Sequence, residues 1–131
     1  MKYLIDTHVF IWFIQNSSSL NHLAKSLIED SNNQILISVA SLWEISIKNS
    51  IGKLHLVKGF GAVGNYLKDN SIEILSLEFL HTVENNRLPF YHRDPFDRII
   101  AAQAIVENIN FISADKVFDE YLKEKSIERI W

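Results

Sequence analysis

Five short apolar runs, separated by longer stretches of helical periodicity, constrain this chain more than any other feature. The runs are Tyr3-Leu4-Ile5, Ile35-Leu36-Ile37, Ile72-Glu73-Ile74-Leu75, Asn110-Phe111-Ile112 and Ile127-Glu128-Arg129-Ile130. Runs this short, dominated by Ile, Leu and Phe, read as parallel strands buried on both faces. Between them, apolar residues recur at helical spacing over 8–15, 20–30, 39–50, 61–69, 77–86, 95–108 and 116–124. Strands alternating with helices predict a layered α/β fold with a mostly parallel central sheet. A length of 131 residues suits one domain over 1–131.

Composition narrows the function by exclusion. The chain has no cysteine, which removes disulfides, thiolate metal sites and cysteine nucleophiles. Its net charge of −3 does not mark a basic nucleic-acid module. Basic residues do flank the acidic segments, with Lys48 and Lys53 after Glu44 and Arg93 and Arg98 around Asp97. No stretch reaches the roughly 18 consecutive apolar residues of a membrane span. Asp6 and His8 interrupt the apolar start, so it does not read as a signal peptide. The expectation is a cytoplasmic protein with no membrane partner. The Gly-containing stretch 58–64 lacks the GxGxxG spacing of a dinucleotide loop, and no GxSxG elbow or Walker loop is present.

Parallel sheets bind ligands beyond the carboxyl ends of their strands, so the residues that follow each strand carry the functional question. Asp6 follows the first run, Glu44 lies within two turns of the second, and Asp115 follows the fourth. Asp97 falls in the first turn of the helix that opens at Pro95. Each has an ordinary alternative. Asp6 and Asp115 are plausible helix N-caps. Ser41-Leu42-Trp43-Glu44 matches a capping box, and Glu44 has Lys48 one turn on. Yet Glu44 stands among Leu42, Trp43, Ile45 and Ile47, where an unpaired carboxylate is costly to bury. In Asp94-Pro95-Phe96-Asp97, proline at the first helical position makes Asp94 the cap and leaves Asp97 for chemistry. Carboxylates gathered at one sheet edge repel unless a cation bridges them. An all-oxygen set suits Mg²⁺ or Mn²⁺ better than zinc. The five histidines show no zinc-ligand spacing, and His8 and His92 read as polar surface residues.

Four segments in order carry a resemblance. They are Tyr3-Leu4-Ile5-Asp6-Thr7-His8, Ser38-Val39-Ala40-Ser41-Leu42-Trp43-Glu44-Ile45, His92-Arg93-Asp94-Pro95-Phe96-Asp97-Arg98 and Ile112-Ser113-Ala114-Asp115-Lys116. Together they resemble a PIN domain of the VapC type, the toxin of bacterial toxin–antitoxin pairs. That resemblance implies a three-layer α/β/α fold and Mg²⁺- or Mn²⁺-dependent cleavage of an RNA substrate. It carries the acids over to Asp6, Glu44, Asp97 and Asp115, as catalytic residues and metal ligands, with Asp6 and Asp97 the principal ones. Thr7 and Ser113 match small hydroxyl positions near the cluster. It further implies a cognate antitoxin and a homodimer, to which a 47% hydrophobic content on a small domain adds weight. Rival readings are a PIN nuclease of RNA processing or DNA, a receiver-like Mg²⁺-binding module, and an inactive PIN fold used for contacts. A receiver would want adjacent acids after the first strand and a lysine after a late one. Thr7 and Asp115 stand there instead.

Overall fold

A computed structural model describes all 131 residues. The strands are β1 (Lys2–Ile5), β2 (Gln34–Ser38), β3 (Ile72–Leu75), β4 (Asn110–Ile112) and β5 (Arg129–Ile130). The helices are α1 (Thr7–Ile14), α2 (His22–Glu29), α3 (Val39–Ser50), α4 (Val63–Asp69), α5 (Phe79–Arg87), α6 (Pro95–Glu107) and α7 (Phe118–Leu122). A 3₁₀ turn, Phe60–Ala62, leads into α4. All strand pairs are parallel, in the order β3-β2-β1-β4-β5.

Period-2 alternation divides the sheet's side chains between two cores. Tyr3, Ile5, Ile35 and Ile37 pack on one face with Phe10, Ile28 and Leu67 of α1, α2 and α4. Leu4, Leu36 and Phe111 pack on the other with Ile100 and Ala104 of α6 and Phe118 and Leu122 of α7. The expected three layers are therefore present. Sheets covered on both faces require strands apolar throughout, which is why the runs lack polar alternation.

The differences from expectation lie at element ends. α2 starts at His22 because Asn21 caps it, its side chain accepting from Ala24 N at 2.8 Å. α7 is shorter than the 116–124 periodicity, since a turn at Lys116–Val117 precedes it. In the run 127–130 only Arg129 and Ile130 join the ladder. Ile127 turns into the second core instead.

Candidate functional site

The order β2-β1-β4 places β1 between two neighbours that the chain reaches in opposite directions. Ligands of open parallel sheets bind at such a reversal. Asp6, Ser38 and Ser113 follow or end these strands on one edge.

Asp6 is rigidly held. Its backbone N–H extends the ladder to Ile112 O at 3.0 Å. Its Oδ1 accepts from His8 N at 2.6 Å, capping α1. Its Oδ2 accepts from the buried Ser113 hydroxyl. The cap and the site position thus coexist in one side chain. Burial pushes the Asp6 carboxyl above its ordinary range, against the hydrogen bonds from Ser113 and His8.

Glu44 overturns its capping-box reading. Ser38 caps α3, its Oγ accepting from Ala40 N at 3.0 Å. Ser41 lies inside the helix, where Thr7 Oγ1 donates to its Oγ at 2.8 Å. Strand β2 runs directly into α3, so the cap falls three residues earlier than the pattern implied. Glu44 is only 4% exposed, and its Oε2 pairs with Lys48 Nζ at 2.9 Å. Its Oε1 is buried with no hydrogen-bond partner. The bond to Glu44 holds the Lys48 ammonium above its ordinary range, with Asp94 and Asp97 adding to the field.

Asp94 caps α6 as expected, its Oδ1 accepting from Phe96 N at 2.9 Å, with Pro95 next. Asp97, in the first turn, is pushed up to about 7, by burial first and then by Asp94, with Asp6 and Glu44 adding and His92 opposing. Asp115 accepts from Val117 N at 3.0 Å through Oδ1.

His92 contradicts its reading as a surface residue. Its Nε2 lies 2.9 Å from Asp115 Oδ2 and 3.2 Å from Asp97 Oδ2. Its Nδ1 faces Asp94 N at 3.3 Å, which turns Nε2 in between the two carboxylates. The backbone N–H of His92 donates to Tyr121 Oη at 2.8 Å, and its ring lies against Phe118. The only signal in the sequence was its place two residues before Asp94. Arg98, by contrast, turns away from the acids. It donates to Asn85 O and Leu88 O at the end of α5, with its guanidinium over the Phe90 ring.

The structure therefore brings Asp6, Glu44, Asp97 and Asp115 into one electrostatic field. They do not close on a common point, and no three acidic or histidine side chains have metal-ligand spacing. Each instead leans on an internal partner: Asp6 on Ser113, Glu44 on Lys48, and Asp97 and Asp115 on His92. The donor set nevertheless fits a hard divalent cation. It is all carboxylate, it has a buried orphan oxygen on Glu44, and its negative charges add to the burial that raises Asp97.

A parallel three-layer domain with acids at its strand reversal defines a class of fold with an acidic pocket. The family is narrower: the PIN domain model matches residues 3–123, and the chain belongs to that family. PIN domains are nucleases, which sets the activity class as a hydrolase. Solved structures share the fold at low identity. VapBC2 from Rickettsia felis, bound to a DNA fragment from its promoter, matches with a TM-score of 0.72 at 20% identity over 98% of both chains. VapBC-1 from nontypeable Haemophilus influenzae matches with a TM-score of 0.70 at 16% identity, also over 98% of both. FitAcB from Neisseria gonorrhoeae matches with a TM-score of 0.63 at 15% identity over 96% of both. No curated protein matches the chain. No helix is long and apolar enough to cross a membrane.

Proposed function

We propose that this chain is a Mg²⁺- or Mn²⁺-dependent endoribonuclease and the toxin of a type II toxin–antitoxin pair. The observation that carries the metal-dependent reading is the buried Glu44 oxygen left without a partner beside an all-carboxylate set, within which Asp97 feels Asp94, Asp6 and Glu44. In this reading Asp6 and Asp97 are the principal ligands, and Glu44 and Asp115 complete the set. A bound ion supplies a water of lowered pKa and offsets the charge that builds on the phosphate.

The chain's own groups prepare the site. Ser113 Oγ and His8 N–H fix the two oxygens of Asp6. His92 holds Asp97 and Asp115 in a common orientation, as outer groups do for metal ligands. Burial keeps competing water from Asp6 and Glu44, where charge interactions are correspondingly stronger.

The toxin assignment rests on the fold shared with VapBC and FitAcB proteins. The cognate antitoxin would present an arginine or lysine to the carboxylates, for which a guanidinium fork is well shaped. A homodimer accords with the apolar groove between α3 and α6, where the exposed Trp43 packs edge-on against Phe96 beside Val39, Leu77 and Ile99.

The test is cleavage of RNA and DNA in parallel, with Mg²⁺, with Mn²⁺ and in EDTA. RNA cleavage that stops in EDTA is expected. Undiminished cleavage in excess chelator refutes the metal reading, and cleavage of DNA alone refutes the RNA reading. Light scattering checks the dimer, with a concentration-independent monomer mass as the contrary result.

A further inference from the structure

A phosphodiester approaching this site meets carboxylates on every side: Asp6, Glu44, Asp94, Asp97 and Asp115. The chain as a whole adds a net charge of −3. Some group must offer positive charge to the strand itself. Arg98 is buried and spent on two backbone carbonyls and an aromatic face. His92 is taken up between Asp97 and Asp115. Lys48 is different. Its side chain is 39% exposed, its amine sits on the one accessible oxygen of Glu44, and Asp94 and Asp97 share its field.

We propose that Lys48 is the residue that receives a substrate phosphate, held on Glu44 until a divalent cation replaces it there. The proposal rests on the nuclease reading above. Two features of the pair support it. Glu44 is 95% hidden at its side chain and cannot lose its only cation without a substitute, because an unpaired buried carboxylate is strongly disfavoured. Lys48 itself sits on a flexible four-carbon stem at the surface, and a lysine acts on phosphate as a mobile point charge. Exchange of partners leaves every charge matched: the cation on Glu44, the ammonium on phosphate. The second oxygen of Glu44, buried and without a hydrogen-bond partner, is a further acceptor for a hard cation once it sits on that carboxylate. Metal and RNA therefore bind synergistically.

The experiment measures binding of a short single-stranded RNA in Mg²⁺ at several salt concentrations. It uses an RNA with hydrolysis-resistant but still charged phosphorothioate links, and protein with all its acids intact, with and without Lys48→Met or Lys48→Arg. Loss of one phosphate contact to a single strand lowers the slope of log affinity against log salt by about 0.7. Lys48→Met is expected to show that loss, and Lys48→Arg to retain the parental slope. A Mn²⁺ titration of the otherwise native Lys48→Met protein without RNA gives the second readout. Removing the competing ammonium should tighten metal binding several-fold. A helix-pair role alone moves neither the slope nor its rescue by arginine. Thermal melting confirms that each variant is folded. An unchanged slope in Lys48→Met, while native protein cleaves RNA, overturns the proposal alone. Native protein that cleaves no RNA overturns the nuclease reading and the proposal together.

Discussion

The site has two halves built on different principles. The Asp6 half is mounted on the sheet: its backbone is in the β1–β4 ladder, and both carboxylate oxygens have fixed donors. The other half is mounted on a loop and a helix start. There His92, Asp97 and Asp115 hold one another, and both aspartates keep some exposure. The first half is positioned by covalent geometry and burial before any ligand arrives. The second is positioned by charge, so proton or cation occupancy can rearrange it. A site of this kind pairs a fixed reference carboxylate with an adjustable set.

The largest expected effect tests that contrast directly. Asp6→Ala and Asp97→Asn should each lower RNA cleavage by about 10²-fold or more, since a metal supplies several kcal/mol of charge stabilisation. Their stabilities should diverge. Asp6→Ala removes a helix cap, which costs about 1 kcal/mol, and strands the Ser113 hydroxyl. Asp97→Asn relieves repulsion and should melt at or above the native temperature at pH 8 without metal. Equal destabilisation by both would show that the two halves are built alike.

His92→Ala comes next. It frees Asp97 and Asp115 from their shared donor, and loss of such an outer group typically costs 10–100-fold in metal affinity or activity, at about that scale here. Because His92 opposes the rise of Asp97, that carboxyl should titrate still higher in the variant. NMR titration of the aspartate carboxyls in both proteins is the check, and an unmoved Asp97 contradicts the bridging role.

How much of this was legible beforehand follows the same divide. Asp6 and Asp94 were readable because capping depends on the next two residues, as the bonds to His8 N and Phe96 N show. The strands were readable because burial on both faces demands continuous Ile and Leu. Glu44 was half readable: its burial and Lys48 partner came from neighbours in one helix, but the cap was misplaced. The pattern Ser41-Leu42-Trp43-Glu44 carries no information that β2 continues to Ser38. His92 was not readable, since its partner Asp115 lies 23 residues away. Arg98 likewise pointed toward the acids in sequence, and only the end of α5, 10 to 13 residues back, shows where it goes.

A smaller effect is the pH response of the metal-free protein. Asp97 ordinarily titrates at 3.8 and in the folded chain at about 7. Between these values the folded state binds more protons than the unfolded one, so stability falls as pH rises through this window. The stabilisation is complete below about 4 and gone above about 7. Metal binding has the opposite slope, because a ligating carboxylate must be ionised, and Mn²⁺ affinity should climb steeply up to about pH 7. Melting curves and Mn²⁺ titrations from pH 4 to pH 8 measure both trends. In Asp97→Asn the melting trend should flatten, and a slope that persists there assigns the effect elsewhere.

The smallest expected effect concerns Asp94, which stands at the border between the two principles. Its Oδ1 does a purely local task by capping α6. Its charge nonetheless is the neighbour that contributes most to raising Asp97. Asp94→Asn separates these roles, because asparagine is as good an N-cap as aspartate but carries no charge. The helix start and the melting temperature should hold. Asp97 should titrate lower, and metal affinity at pH 6 should rise because less of Asp97 remains protonated. RNA cleavage near pH 8, where Asp97 is already ionised, should stay within a few-fold of native. A cap without influence on the site would leave the titration of Asp97 in place. A dead enzyme with normal melting would instead make Asp94 a ligand in its own right, extending the adjustable half of the site by one carboxylate.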